Sequence, residues 1–272
     1  MTDALRYEWM RIRTIRSTYW LTGLAIVFAV GVAIAVSWAM RSAMGGSDAP
    51  SEADLAEVGP WLGTQFARAG APYFLPYLLA MIGILSWGHE YRHGMVRATL
   101  TALTSRTSVW VAKYVVALVW VAVTVTVAFL LAVVVGWLFL SGKGVDVWTD
   151  RTFEALGRAV IYTVLLTGLA MAFTVVVRNQ TAALVLLFLW PLAIENIITL
   201  VFFLVPGLRE HSELTRFLPF SAGGRINSDS FFARGDEMFG QPLTWVGGLV
   251  VFGGLCVALM ALSQALFRSR DA

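Results

Sequence analysis

Long uncharged stretches alternate with short polar segments along the whole chain. A helix of about 20 apolar residues is long enough to cross the hydrocarbon core of a bilayer. Six such stretches occur, which predicts an all-α membrane protein with six transmembrane helices in a single domain, residues 1–272. The predicted spans are residues 19–40, 69–87, 114–140, 159–177, 181–205 and 243–267.

The composition agrees with this pattern. Hydrophobic residues make up 58% of the chain and charged residues only 14%, whereas soluble domains carry about 25% charged residues. We therefore expect a lipid bilayer, and no nucleic acid, as the partner of most of the chain. Cys256 is the single cysteine, which excludes an internal disulfide. Residues 17–40 give 24 uncharged positions, too many for a signal-peptide core, so we predict an uncleaved first span.

The first 16 residues combine arginines with apolar residues at helical spacing. Leu5, Trp9 and Ile12 recur every three or four positions, which is typical of an amphipathic helix. We predict that this helix lies in the membrane interface. Its candidate interfacial residues are Arg6, Trp9, Arg13 and Arg16. In the alternative interpretation, the arginines only orient the first span.

The distribution of basic residues predicts the orientation of the spans. An even number of spans puts both termini on one side, which carries 11 of the 20 Lys and Arg residues but only four of the 17 acidic residues. Because cytoplasmic loops are enriched in Lys and Arg, we predict that both termini and the segment 87–113 are cytoplasmic. The long loop 206–242 is then extracellular, and we expect short helices in it that cap the outer end.

The segment 87–113 contains a second predicted amphipathic helix, over residues 90–104. Its polar residues fall on one stripe at helical spacing, and the adjoining face is apolar. The stripe consists of Glu90, His93, Arg97, Thr101 and Thr104. A short amphipathic helix in this position is suited to docking on a partner protein or on the bilayer.

The same segment contains the zinc-protease pattern H-E-x-x-H, at residues 89–93. In that pattern two histidines one helical turn apart bind zinc and the glutamate is the general base. Gly88 and Gly94 bracket the five residues, although the ligands need a stable helix. The remaining histidine, His211, is predicted on the opposite side of the membrane. A membrane-embedded zinc metalloprotease is therefore the alternative hypothesis, and the main interpretation has no metal site.

Two runs of sequence point to a known family. EYRHGMVRATLTA and the following SRTSVWVAK resemble the loop between the second and third spans of ABC type-2 exporter permeases. Met95 and Val96 depart mildly from the family pattern. EWMRIRTIRSTYW near the N-terminus and RFLPFSAGGRI in the loop 206–242 are also similar to segments of that family. The matching positions are Glu90, Tyr91, Arg92, His93, Gly94, Arg97, Thr99, Leu100 and Lys113.

The resemblance implies a transport subunit rather than an enzyme. Such a permease pairs with a second copy or a paralogue in the plasma membrane of a bacterium, and two cytosolic ABC ATPase subunits bind below it. The helix 90–104 would be the coupling helix that enters a cleft of the ATPase. ATP and Mg²⁺ would bind to the ATPase, because this chain lacks the pattern G-x-x-x-x-G-K-[ST]. The implied docking residues are Glu90, Tyr91, Arg92, His93, Gly94, Arg97 and Leu100.

The family and the apolar spans suggest a hydrophobic or amphipathic cargo, such as a drug, a peptide antibiotic or a lipid-like molecule. Glu195 is the one acidic residue within a predicted span. It is either a cation-attracting or gating position in the transport path, or a hydrogen-bonded acid that fixes helix packing, with Asn196 as the suggested partner. Three aromatic residues of the same span either line the path or face lipid and neighbouring helices. The candidate path residues are therefore Glu195, Trp190, Phe202 and Phe203.

Overall fold

A computed structural model describes most of the chain, and its described residues are 88% helical without a strand. This confirms the all-α prediction for the part of the chain that is described. The described residues are 1–44, 58–60, 62, 74–96, 99, 101, 105–227 and 243–269.

Ten α-helices, one π-helix and one 3₁₀-helix have defined bounds in the described part. In chain order they are α1 (Thr2–Thr14), α2 (Arg16–Ala43), α3 (Phe74–Arg92), α4 (Arg106–Leu140), α5 (Asp150–Val177), α6 (Gln180–Leu189), the π-helix Trp190–Ile194, α7 (Glu195–Leu204), α8 (Pro206–Arg209), the 3₁₀-helix Ser212–Phe217, α9 (Pro219–Gly224) and α10 (Trp245–Ser269).

Five helical segments are long and apolar enough to cross a membrane, which supports a multi-pass membrane protein. They are Arg16–Ala43, Arg106–Leu140, Asp150–Val177, Gln180–Leu204 and Trp245–Ser269. The predicted second span, residues 69–87, overlaps α3, which continues to Arg92 and ends in a polar turn. Residues 69–73 lie outside the described part. Six spans therefore stays a prediction.

Two span helices begin earlier than predicted because polar residues cap them. The Ser105 hydroxyl accepts a hydrogen bond from the Ser108 amide, so α4 begins at Arg106 instead of residue 114. Thr149 caps α5 in the same way, so that helix begins at Asp150 instead of residue 159. Hydropathy locates only the part of a helix that is within lipid. At 35 residues, α4 is about 52 Å long and extends beyond a hydrocarbon core of about 30 Å.

The prediction of a single helix over residues 90–104 is wrong at its N-terminal end. Glu90 belongs to α3, which ends at Arg92, and residues 93–95 form a turn. Gly94 has φ +64°, and the Met95 amide donates to the Glu90 carbonyl at 3.0 Å, the six-to-one hydrogen bond of a glycine-terminated helix end. Residues 97, 98, 100 and 102–104 lie outside the described part, so the rest of the predicted helix stays a prediction.

The N-terminal residues form a helix as predicted, but it is shorter. Ile15 is extended, with φ −78° and ψ 115°, and Arg16 is already the first residue of α2. Arg16 therefore belongs to the first span instead of the predicted interfacial helix. Ala4, Glu8 and Ile12, spaced at four residues, are the buried positions of α1, which packs against α4.

The helices form one bundle, in which α3 packs on α5, α2 on α4, and α10 on α5. The loop ends that are predicted to be cytoplasmic meet at one end of the bundle. There the Trp87 and Phe267 rings lie 5.0 Å apart, and Arg106 donates to the Arg268 carbonyl at 3.3 Å. At the opposite end, α8, the 3₁₀-helix and α9 supply the short helices that were predicted in the loop 206–242.

Candidate functional site

Four charged side chains from three helices meet at the end of the bundle where α1 lies. Glu8 and Arg11 come from α1, Glu90 from the last turns of α3 and Lys113 from the third turn of α4. We call these four residues the charge cluster. The Lys113 side chain has no exposed surface, and the two glutamates keep 5% or less of theirs. Two positive and two negative charges cancel within the cluster.

Each carboxylate of the cluster contacts both cations. The Lys113 Nζ atom lies 2.6 Å from Glu90 Oε1 and 2.7 Å from Glu8 Oε1. The Arg11 Nη1 atom lies 2.5 Å from Glu90 Oε1 and 3.3 Å from Glu8 Oε2. The four groups therefore form a closed ring of alternating charge, in which every side chain has two partners of opposite sign.

Neighbouring groups complete the hydrogen bonding of the cations. Arg11 Nη2 donates to the Ser86 carbonyl at 2.9 Å, which adds a backbone contact to α3. The Lys113 ammonium lies 5.2 Å from the centroid of the Trp87 ring, within the range of a cation–π contact. A cavity of about 20 Å³ borders Glu8, Arg11 and Lys113, which is room for about one water molecule.

Because the four charges are buried, each of them needs a partner of opposite sign. Removal of one partner from a buried ion pair costs about 3–5 kcal/mol, because the remaining charge has lost both water and its counter-ion. The intact pair contributes much less, since desolvation offsets the Coulomb attraction. The charge cluster thus defines one relative position of α1, α3 and α4.

Glu90 was predicted to contact an ATPase, but it is 3% exposed and its carboxylate binds Arg11 and Lys113 within the charge cluster. In this conformation its carboxylate is therefore not part of an external surface. Tyr91 is half-buried, with its ring stacked on Trp87 at 6.1 Å. Arg92, His93 and Gly94 are exposed.

Two more predicted docking residues, Arg97 and Leu100, lie outside the described part of the chain. The exposed docking candidates in the described part therefore lie at the tip of α3 and in the turn that follows it.

The two histidines of the H-E-x-x-H pattern lie one turn apart where α3 ends, not within a continuous helix. His93 follows the end of α3, its ring lies 6.3 Å from that of His89, and its Nδ1 donates to the His89 carbonyl at 2.8 Å. The glutamate that would be the general base is held by Arg11 and Lys113. Among the described residues, no group of three His, Cys, Asp or Glu side chains is placed to hold a metal ion. This geometry does not favour the protease hypothesis.

His89 lies beyond the predicted cytoplasmic end of the second span and is half-buried. Burial lowers the pKa of its imidazole, and the positive charge of Arg11, then His93 and Arg92, lower it further. A neutral His89 is therefore favoured beside the charge cluster, where a further cation would disturb the balance of charge.

Glu195 is buried, 3% exposed, at the opposite end of the bundle. Its Oε1 accepts from the Phe220 amide at 2.7 Å, and its Oε2 accepts from the Ser221 amide and hydroxyl at 2.8 Å. The carboxylate therefore caps the first turn of α9 and joins that helix to the fifth span. This agrees with the hydrogen-bonded interpretation, but the suggested partner Asn196 was wrong.

The other candidate path residues differ in their surroundings. The Trp190 ring is half-buried, 6.0 Å from Phe173 and 6.2 Å from Phe220. Phe202 is half-buried, and Phe203 is exposed beside the guanidinium of Arg209. The path role of all four residues stays a prediction.

Glu8 and Arg11 are the site residues that sequence reasoning missed. The sequence contains two signals for Glu8. Lys113 lies among apolar residues near the start of a long span, so a buried lysine there needs acidic partners. Glu8 shares the four-residue spacing of Ala4 and Ile12, which places it on the face of α1 that packs.

A family model matches most of the chain. The family described as "Protein of unknown function (DUF2705)" matches residues 59–272, which include Glu90, Lys113 and Glu195 but not α1. The chain matches no curated protein. Because the family covers most of the chain, this protein belongs to the DUF2705 family.

Proposed function

We propose that this protein is the membrane-spanning subunit of an ATP-driven exporter of the ABC type-2 class. Separate cytosolic ATPase subunits hydrolyse ATP with Mg²⁺, and the chain moves a hydrophobic or amphipathic cargo out of a bacterial cell. The sequence resemblance over residues 90–113 and the five apolar helices support this proposal.

The charge cluster is the observation that carries the proposal. Through Glu90, the first residue of the predicted docking segment 90–104, it joins the tip of α3 to α1 and to the start of α4. Because separation of these buried charges is costly, a displacement at the docking segment moves all three helices together. A transport subunit driven by another protein needs such a rigid connection between the contact surface and its spans.

The surface beside the cluster is suited to a protein partner. Arg92 and His93 are exposed there, and Met95 is 50% exposed. A basic, partly apolar tip fits an acidic cleft with an apolar floor, as expected for a docking helix in a groove. In this mechanism the docked tip follows the closure of the ATPase subunits, and the spans alternate between inward-open and outward-open arrangements.

Isolation of the full-length chain from its own membranes tests the proposal. We expect an ATPase with a Walker motif to copurify in fixed stoichiometry and to hydrolyse ATP in the complex. Arg92→Glu should reduce copurification at least several-fold. Lys143→Glu is the matched control, because Lys143 is exposed in the turn at the other end of α4.

Two results would contradict the exporter. One is a purified chain without an ATPase that still transports or cleaves a substrate. The other is stoichiometric zinc that is lost in His93→Ala, which would favour the metalloprotease.

A further inference from the structure

Three arginines near the start of the chain have no counter-charge in the part of the chain that the structure describes. Arg6, Arg13 and Arg16 are exposed, and they make no ion pair or side-chain hydrogen bond with the described residues. Asp3 is the only exposed acidic residue of α1. The outer surface of this helix therefore keeps a net positive charge.

Three aromatic rings from three helices meet beside these arginines. The ring of Trp120 on α4 lies 5.9 Å from that of Trp9 on α1 and 6.1 Å from that of Tyr19 on α2, both in edge-to-face arrangements. The Trp120 indole also donates to the Thr22 hydroxyl at 3.0 Å, which fixes its position. Trp9 is 41% and Tyr19 51% exposed. We call Trp9, Tyr19 and Trp120 the aromatic triad.

Each arginine lies one helical turn from a ring of the aromatic triad. Arg6 is three residues before Trp9 and Arg13 four residues after it, and Arg16 is three residues before Tyr19. Side chains at these spacings are neighbours on the surface of a helix. The three guanidinium groups therefore form a basic rim around exposed aromatic surface, on the side of α1 away from the charge cluster.

The length of α2 places this basic rim at the level of the lipid headgroups. Arg41 follows Arg16 by 25 residues on the same helix, about 38 Å, which exceeds the hydrocarbon core of about 30 Å. Arg16 therefore reaches the headgroups at the end of the bundle that is predicted to be cytoplasmic. Tyr19, one turn further along α2, lies at the border of the core, where tyrosine and tryptophan are enriched.

A phosphate ester with an acyl chain fits this combination of groups. Guanidinium groups bind phosphate oxygens through two N–H groups at once, and the aromatic triad offers an apolar wall to the chain below the phosphate. A zwitterionic headgroup would bring its own cation next to the arginines, so an acidic headgroup is favoured. The cytoplasmic leaflet supplies such lipids. An acidic protein surface would match the charges but not the exposed rings of a membrane span.

We propose that Arg6, Arg13 and Arg16 form, with the aromatic triad, a binding site for an acidic phospholipid. Location in the interface alone would require no particular headgroup, whereas this site makes the attachment of α1 depend on the charge of the lipid. Glu8 and Arg11 lie on the inner side of the same helix, so a lipid bound outside holds the helix against the charge cluster. The inference goes beyond the proposed exporter and does not depend on it.

Melting temperatures of the full-length chain in lipid nanodiscs test the proposal. Discs of phosphatidylcholine alone are compared with discs that also contain phosphatidylglycerol. The test variant replaces the basic rim and is Arg6→Gln/Arg13→Gln/Arg16→Gln. The control replaces three exposed cations at the opposite end of the bundle and is Lys143→Gln/Arg151→Gln/Arg209→Gln. Because both leaflets of a disc have the same composition, the control cations meet the same lipids.

We expect phosphatidylglycerol to raise the melting temperature of the wild type by about 2–4 °C for each arginine that binds a phosphate. High salt should reduce this gain, because it screens exposed charges. The rim variant should lose the gain and the control should keep it. Trp120→Leu, which retains all three arginines, should reduce the gain, and inorganic phosphate added to phosphatidylcholine discs should produce none.

Four results would overturn the proposal. The first is the same melting temperature of the wild type in both kinds of disc, and the second is an equal gain in the rim and control variants. The third is an equal gain from inorganic phosphate, which would indicate an anion site without a lipid. The fourth is a wild type without any gain whose rim variant loses a copurifying protein, which would assign the arginines to a protein partner.

Discussion

The Nζ atom of Lys113 lies 2.6 Å from Glu90, 23 residues earlier in the chain and on a different helix. Both groups are buried, and Glu8 and Arg11 complete their surroundings. This pair connects the tip of α3 to the start of α4 across the predicted docking segment. The contribution of this pair can therefore be measured in two ways: as a change in the free energy of unfolding, and as a change in how movement of α3 is coupled to movement of α4.

Replacement of Lys113 by methionine should destabilise the protein strongly. The variant leaves Glu8 and Glu90 with only Arg11 as counter-ion, and we expect a loss of about 3–5 kcal/mol, measured as the unfolding free energy in detergent. Lys143→Met is the control, since Lys143 is exposed. Glu8→Gln combined with Lys113→Met should recover part of the loss, because one unpaired acid is removed. Equal stability of wild type and Lys113→Met would show that the cluster has no structural role.

Glu195 should be necessary for the attachment of α9. Glu195→Gln supplies one carbonyl acceptor in place of two carboxylate oxygens and directs N–H groups at the donors of Ser221. We expect a loss of about 1–3 kcal/mol and faster hydrogen exchange at the Phe220 and Ser221 amides. Glu213→Gln is the control, because the Glu213 side chain is 65% exposed. Unchanged exchange at both amides would refute the capping role.

Gly94 should resist substitution because its φ is +64°. Alanine in the left-handed region costs about 1–2 kcal/mol, whereas asparagine tolerates it better. We expect Gly94→Ala to lower thermal stability more than Gly94→Asn, and to reduce ATPase copurification if the turn positions the docking segment. Gly142→Ala is the control, since no atom lies within 4 Å of its added carbon and its φ is not in the left-handed region. The reverse order of the two Gly94 variants would contradict a left-handed helix end.

His89 should make the folded protein less stable as the pH falls. Its pKa is lowered by burial and by the cations around it, so the unfolded chain binds a proton more readily. The folded state therefore loses stability as the pH falls below about 6.5 towards the lowered pKa. His89→Gln should show a shallower decline of melting temperature between pH 7 and 5. His211→Gln, at an exposed position, is the control, and identical slopes for wild type and His89→Gln would contradict this effect.

The sequence predicted the apolar spans well because lipid imposes a simple rule on their length and polarity. It misplaced the starts of α4 and α5, because Ser105 and Thr149 begin each helix outside the apolar run. The predicted helix 90–104 also continued through Gly94, although a glycine that follows a polar helix end is a signal for the end of a helix. These errors come from local capping chemistry that hydropathy does not measure.

The candidate site was only half predictable. Glu90 and Lys113 were identified through the family resemblance, but their burial and their contact with α1 depend on three helices that are distant in sequence. A charged residue on an amphipathic helix, such as Glu8, is normally assigned to the solvent side. Its burial can be deduced only when a second buried charge of opposite sign is placed opposite to it.

The charge cluster also orders the assembly of the protein during synthesis. Lys113 follows Glu8 by 105 residues, which the ribosome adds in about 5 to 20 s. During that interval Glu8 lacks the lysine that compensates its charge in the buried cluster, because Lys113 has not yet been made. The N-terminal helix can therefore dock only after α3 and α4 have been inserted, so the first helix to be translated is among the last to reach its final place.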